Sequence, residues 1–197
     1  MRGELAVFVQ ENIEKHIMDE KAQRKTKISD IAYLTALMYP NAKWEQLKTM
    51  ALLSLSMFVF DDTIDKKMDA DNASDMPDYA SDFDSATKLR KDSIRFMRHA
   101  LGTESSSENN KDDGPPAPRE FSAFADLAPR VKAAPAGQIS IQRLDCDVTE
   151  FIETNGEEQM FRLSGKTPSI DEYWAYRHGV GAVFVYCTLH QHATSTI

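Results

Sequence analysis

The sequence has little of what would place it in a specialised class. It has only two cysteines, Cys146 and Cys187, and no Cys-x-x-Cys pair. That leaves no disulfide framework and reads as reduced thiols in a cytosolic protein. Glycine and proline number 8 each, which excludes fibrous and wholly disordered chains. No apolar run approaches the roughly 18 residues of a membrane-spanning helix, so no membrane partner is read. Basic residues are in deficit, 23 against 31 acidic, for a net charge of −8 and a pI near 5.1. That argues against nucleic-acid binding, which needs a basic face. The opening MRGELAVFVQENIEK is neither a secretory signal nor an Arg-rich, acid-poor transit peptide. Strand-like alternation and internal repeats are missing too. What is present is 42% apolar and 27% charged residues over 197 positions, enough to build a real core.

The patterning is helical, so the expected class is all-α. Leu5, Phe8, Val9, Ile13 and Ile17 make residues 3–22 an amphipathic helix. A second helix is expected over residues 28–38, ending at Tyr39-Pro40, because proline disfavours helix at the residue before it. Asn41 is a candidate N-cap for a third helix. The acidic stretch 69–86 reads as a loop, residues 88–101 as a basic amphipathic helix, and the polar stretch 103–119 as disordered. A weaker helix from Phe121 is expected to stop at Pro129. A long helical pattern covers residues 138–162, with Gly156 interrupting its regularity. Ser169 and Glu172 have capping-box spacing at the start of a last helix reaching about Leu189.

One helix ends unusually. Leu47, Ala51, Leu55 and Phe58 step by four, four and three along one face, and the same face continues into Asp61 or Asp62, with Asp65 one turn beyond Asp61. Spacing alone does not choose between Asp61 and Asp62 as the inward residue. A buried carboxylate needs a cation, a basic partner or exposure at the helix end. Two carboxylates four residues apart can share hard divalent ions whose remaining positions go to water and phosphate oxygens. A solvated helix terminus is the plain alternative, although carboxylates there oppose the helix dipole.

The segment Phe58-Val59-Phe60-Asp61-Asp62-Thr63-Ile64-Asp65 resembles the aromatic-preceded DDxxD motif of class I terpene synthases, above all the microbial and fungal type. Pro168-Ser169-Ile170-Asp171-Glu172-Tyr173 through Arg177 to Gly181 resembles that family's stretch around the diphosphate-sensing arginine, and Glu158 to Arg162 resembles the end of the preceding helix. The resemblance is clearest over residues 28–68 and 138–192. It implies part of the class I terpenoid-synthase α-helical bundle, with Mg²⁺ at Asp61, Asp62 and Asp65, Asp62 being the more peripheral. It also implies Arg177 as diphosphate sensor, Val180 at the linker position and Gly181 at a helix break that turns a carbonyl toward the substrate. Independently, a guanidinium fork suits diphosphate oxygens, although Arg177 could equally pair with Glu172 or Asp171 on the surface. Gly179 and Gly181 each cost a helix about 1 kcal/mol relative to alanine, which either a kink or close helix packing would explain.

The implied reaction is metal-triggered ionisation of a prenyl diphosphate, farnesyl diphosphate by family habit, and cyclisation of the carbocation in a dry pocket. Phe58 is the first candidate for an aromatic wall that steadies the cation, and Phe184 reads as core packing. The chain departs from the family pattern downstream. Residues 178–197 hold no Asp or Glu, so the second metal motif is absent after Arg177, as is the later Arg-Tyr pair. A loose copy, Asp145, Thr149 and Glu153, precedes Arg177 and reads as a chance match on a solvated face. The expectation is one incomplete domain over residues 1–197, cytoplasmic and of undetermined oligomeric state. Besides a terpene synthase, two readings stand: a catalytically inactive helical relative that binds a partner, and a prenyltransferase-like enzyme, disfavoured by the single aspartate-rich motif.

Overall fold

The computed structural model describes residues 2–17, 20–65, 77–104, 114–133 and 137–194. They form helices α1 (Arg2–His16), α2 (Glu20–Ile28), α3 (Ile31–Met38), α4 (Trp44–Asp65), α5 (Phe83–Leu101), α6 (Ala123–Ala133), α7 (Gly137–Ser164), α8 (Ile170–Val180) and α9 (Val183–Thr194). A 3-10 turn at Arg119–Phe121 leads into α6. Among the described residues there is no strand, and no helix is long and apolar enough to cross a membrane.

The chain is built around α4, which packs on α1, α3 and α6. Enclosed by these, its residues 49–57 are buried without interruption, so the single apolar stripe expected from spacing is only part of what α4 hides. Phe58, on the expected stripe, is half-buried. The 28-residue α7 lies against α5, α8 and α9. An aromatic cluster joins α4, α6 and α7. Phe60 meets Phe121 edge-on at 5.8 Å and Phe151 at 6.0 Å, and Phe121 stacks on Phe124 at 5.0 Å. Phe60, Phe121 and Phe124 are all fully buried, each contributing roughly 2–3 kcal/mol of apolar transfer. At the rim, His16 bridges α1 to α6 through Ser122 (3.1 Å) and Asp126 (2.8 Å).

Several boundaries correct the sequence reading. The helix expected over 3–22 ends at His16, and the Gln23 side chain of α2 donates to the Ile17 carbonyl at 2.6 Å. Next, α3 starts at Ile31, because Asp30 adopts a left-handed conformation (φ 42°) and its carboxylate accepts from the Tyr33 amide. Asn41 does not cap α4; the helix begins at Trp44, where Gln46 Oε1 accepts the Lys43 amide at 2.8 Å. The acidic loop gives way to α5 at Phe83, since Asp82 accepts the amides of Asp84 and Ser85, both at 3.1 Å. Pro129 lies inside α6 and does not stop it. Buried Leu127, Ala128 and Val131 on either side hold that helix against its neighbours. Of the loop expected at 69–86, residues 69–76 lie outside the described residues and residues 83–86 belong to α5. Of the disorder expected at 103–119, residues 105–113 lie outside them, while 103–104 and 114–119 are described and Arg119 opens the 3-10 turn.

Two glycines acquire specific reasons. A Cβ on Gly156 would sit 3.1 Å from Nε of the buried Arg90, so α7 runs unbroken and the glycine makes room for a guanidinium. A Cβ on Gly179 would meet Thr154 Oγ1 at 2.4 Å, so α8 lies directly against α7 there. Ser169 and Glu172 form the expected capping box at the start of α8. The last helix, expected to run on to about Leu189, is broken at Gly181-Ala182, where Ala182 has φ 52° and its amide donates to the Gly179 carbonyl at 2.8 Å.

Candidate functional site

The break between α8 and α9 opens onto a cavity of about 760 Å³ lined from α3, α4, α7, α8 and α9. Phe58, Phe151, Tyr39 and Tyr186 give it aromatic walls, and Met57, Val180, Gly181 and Val183 supply further surface. Among the described residues that line it, Asp61 is the one carboxylate. Phe58 and Asp61 are neighbours on α4, and Gly181, at the helix break, lines the same cavity. Three of the residues singled out in the sequence therefore meet at one space. Phe184 does not line it, and the expectation that it packs in the core is corrected: it is exposed, with its ring near His178.

The three aspartates separate by environment. Asp62 turns outward to Lys25 of α2, at 2.6 Å. Asp65 pairs with the Arg162 guanidinium, which also donates to the Ile64 carbonyl at 3.2 Å. Asp61 is the inward member, and its Oδ1 accepts from Asn155 Nδ2 at 2.9 Å. Burial, then the charges of Asp65, Glu158 and Asp62, push the Asp61 carboxyl up to about 6, against the pull of the Asn155 hydrogen bond. Glu158 is also raised, by burial and by Asp65, while Arg177 and Arg162 act in the opposite direction. Asn155, Glu158 and Arg162 recur at three and four residues along α7, so one helix face brings an amide, a carboxylate and a guanidinium to the end of α4. Of these, Asn155 was not anticipated. Its only sequence signal is that shared face. Arg177 is exposed on α8, and its field reaches Glu158.

The loose second motif lies elsewhere. Arg98 of α5 holds Asp145 Oδ1 at 3.1 Å and Thr149 Oγ1 at 3.4 Å, and the Thr149 hydroxyl donates to Asp145 at 3.1 Å. The expectation of a solvated face is corrected to that extent: the Asp145 side chain is 13% exposed and pinned across α5 and α7. Arg98 and Asp145 border a separate groove with Lys91, Arg95 and Glu153, away from Asp61.

The model of terpene synthase family 2, C-terminal metal binding, matches residues 53–196. The chain belongs to this terpene synthase family. Solved structures share its all-α fold. The SVS_A2 protein from ancestral sequence reconstruction aligns with 18% identity and a TM-score of 0.74, covering all of this chain and 54% of the other. A single-substitution mutant of that protein aligns with 18% identity and a TM-score of 0.75, covering 98% and 53%. The terpene synthase-like chain thus spans about half the length of the solved structures it matches. No curated protein is significantly similar to it.

The donor chemistry at the end of α4 fits a hard cation. Asp61 and Asp65 lie one turn apart, and Asp61 faces two further carboxylates with an amide as its hydrogen-bond partner among the described residues. Mg²⁺ binds through one or two carboxylates and keeps its other positions for water and phosphate oxygens. No group of three or more His, Cys, Asp or Glu placed to hold a metal occurs among the described residues, so a full protein cage is not part of this fit.

Proposed function

We propose that this terpene synthase-like chain binds a prenyl diphosphate, farnesyl diphosphate in the first instance, and converts it to a cyclic terpene in the cavity at the α8–α9 break. One observation carries the reading: the inward carboxylate of the aspartate motif, Asp61, stands at the edge of an aromatic-walled cavity. Asp61 and Asp65 would hold Mg²⁺, Asp65 exchanging its Arg162 pairing for the cation, with Asp62, turned outward to Lys25, the more peripheral member. The metal, when bound, supplies Lewis-acid stabilisation of the departing diphosphate. Arg177 would bind the diphosphate oxygens through its planar fork. Gly181, at the α8–α9 break, lines the same cavity and would turn backbone toward the substrate. Phe58 and Phe151 line the cavity and would offer aromatic surface where positive charge develops.

Gas chromatography–mass spectrometry of the purified chain with farnesyl diphosphate and Mg²⁺, beside Asp61→Ala, tests this. Cyclic hydrocarbon that disappears in the variant is the expected result; a chain-elongated product when isopentenyl diphosphate is also supplied would instead indicate a prenyltransferase. A second reading is binding without turnover. It is supported by Asp62 and Asp65 both being paired with basic side chains and by the exposure of Arg177. It predicts pyrophosphate binding by a folded chain with no hydrocarbon formed.

A further inference from the structure

The inward aspartate owes its placement to a second helix. Asn155 of α7 is 1% exposed, and its amide Nδ2 donates to Asp61 Oδ1 at 2.9 Å. Its own Oδ1 is buried and has no hydrogen-bond partner. An amide buried with half its capacity unmet gives up its hydration without full return, which destabilises the fold. An apolar residue of the same size would avoid that cost among neighbours such as Phe151 and Ile152, both buried one turn before it on α7. Stability alone does not account for the amide, whereas the orientation of Asp61 does. The neighbouring charges of Asp62, Asp65 and Glu158 push against Asp61, and its carboxylate is free to rotate about two bonds. Asp62 and Asp65 have cationic side chains to fix them, Lys25 and Arg162. Asp61, facing the cavity, has a neutral donor in their place. A neutral donor fixes the rotamer without occupying the carboxylate as a counter-ion would, so both oxygens stay usable by a cation.

We propose that Asn155 is a positioning residue that locks the Asp61 carboxylate in its cation-binding orientation from across the α4–α7 interface. The inference rests on the reading of Asp61 as a metal ligand. Hydrogen bonds of this outer kind typically change metal affinity by about 10- to 100-fold.

The test is Mn²⁺ binding to the full chain in the presence of inorganic pyrophosphate, followed by electron paramagnetic resonance of free Mn²⁺. Asn155→Leu keeps the volume and removes the donor. It is expected to weaken Mn²⁺ by about 10-fold while the thermal melt is unchanged or raised. Asn155→Ala provides the same test should the leucine variant not fold. In an Asp61→Ala background, either substitution should cause no further loss, because the residue it positions is already gone; an additive loss would mark Asn155 as merely structural. Wild-type binding that survives Asn155→Leu and Asn155→Ala intact overturns this proposal and leaves the metal reading standing. Absence of Mn²⁺ binding by the folded wild type overturns both.

Discussion

Removing the Asp61 charge should stabilise the folded chain, and the effect can be worked from its surroundings. The carboxyl lies at about 6 in the fold against an ordinary value of 3.8, because it is buried and faces Asp65, Glu158 and Asp62. The folded protein therefore holds this proton more tightly than the unfolded chain does. The contribution is fully present below pH 3.8 and is lost as pH rises through about 6. Integrated, the loss approaches about 3 kcal/mol at pH 7.5, and screening through the open cavity reduces it to about 2. Asp61→Asn removes the charge yet keeps an acceptor for Asn155. Without added metal, it should melt about 4–8 °C above the wild type at pH 7.5, taking about 2–4 °C per kcal/mol for a chain of this size. At pH 4 the difference should shrink below about 1 kcal/mol, because the wild type is then mostly protonated at this site. Circular-dichroism melts of both proteins in EDTA at the two pH values give the comparison. An Asn variant that melts at or below the wild type at pH 7.5, or a difference that persists at pH 4, would refute the argument that Asp61 is a desolvated member of a like-charge cluster.

Substitutions at two further sites probe how α7 is seated. Gly179→Ala should cost about 2–3 kcal/mol in a urea melt, because its Cβ would lie 2.4 Å from Thr154 Oγ1 and force α8 off α7; a neutral result would mean the helices are not in that contact. Arg90 is 5% exposed and donates to two neutral acceptors, Gln159 Oε1 at 2.7 Å and Thr87 Oγ1 at 2.8 Å. Arg90→Ala should cost about 3 kcal/mol and volume-preserving Arg90→Met about half that, a ranking that denaturant titration of the two variants would confirm or reverse.

Much of the fold was legible because its signals are local. Pro40 marks the end of α3 within two residues, and Ser169 with Glu172 specifies the start of α8 by a hydrogen-bonded box that closes within four residues. The breaks that were missed depend on contacts between side chains and distant backbone. Nothing in the sequence around His16 and Ile17 looks like a stop; the Ile17 carbonyl is met instead by Gln23, a side chain of the next helix. Pro129 is a reliable stop signal in isolation, yet α6 continues through it because burial of Val131 beyond the proline outweighs one lost backbone hydrogen bond. Asp82 does carry a readable capping signal. It was masked by the acidic composition of the segment before it, which favoured a loop reading over the residues that open α5.

The aspartate motif shows the same division on a smaller scale. Its sequence states which residues are carboxylates, and the helical repeat states that Asp61 and Asp65 share a side. Neither states which carboxylate loses its water, because that depends on what faces it. Lys25, 37 residues before Asp62, draws that side chain outward, and Asn155, 94 residues after Asp61, holds the other inward. The inward role therefore follows from two neighbours that differ in charge: a cation neutralises the aspartate it touches, whereas an amide only aims it. On this ground Asp61, rather than the better-neutralised Asp62 or Asp65, is the member of the trio whose unmet charge a divalent cation would relieve. The family whose model matches this segment is described as metal-binding.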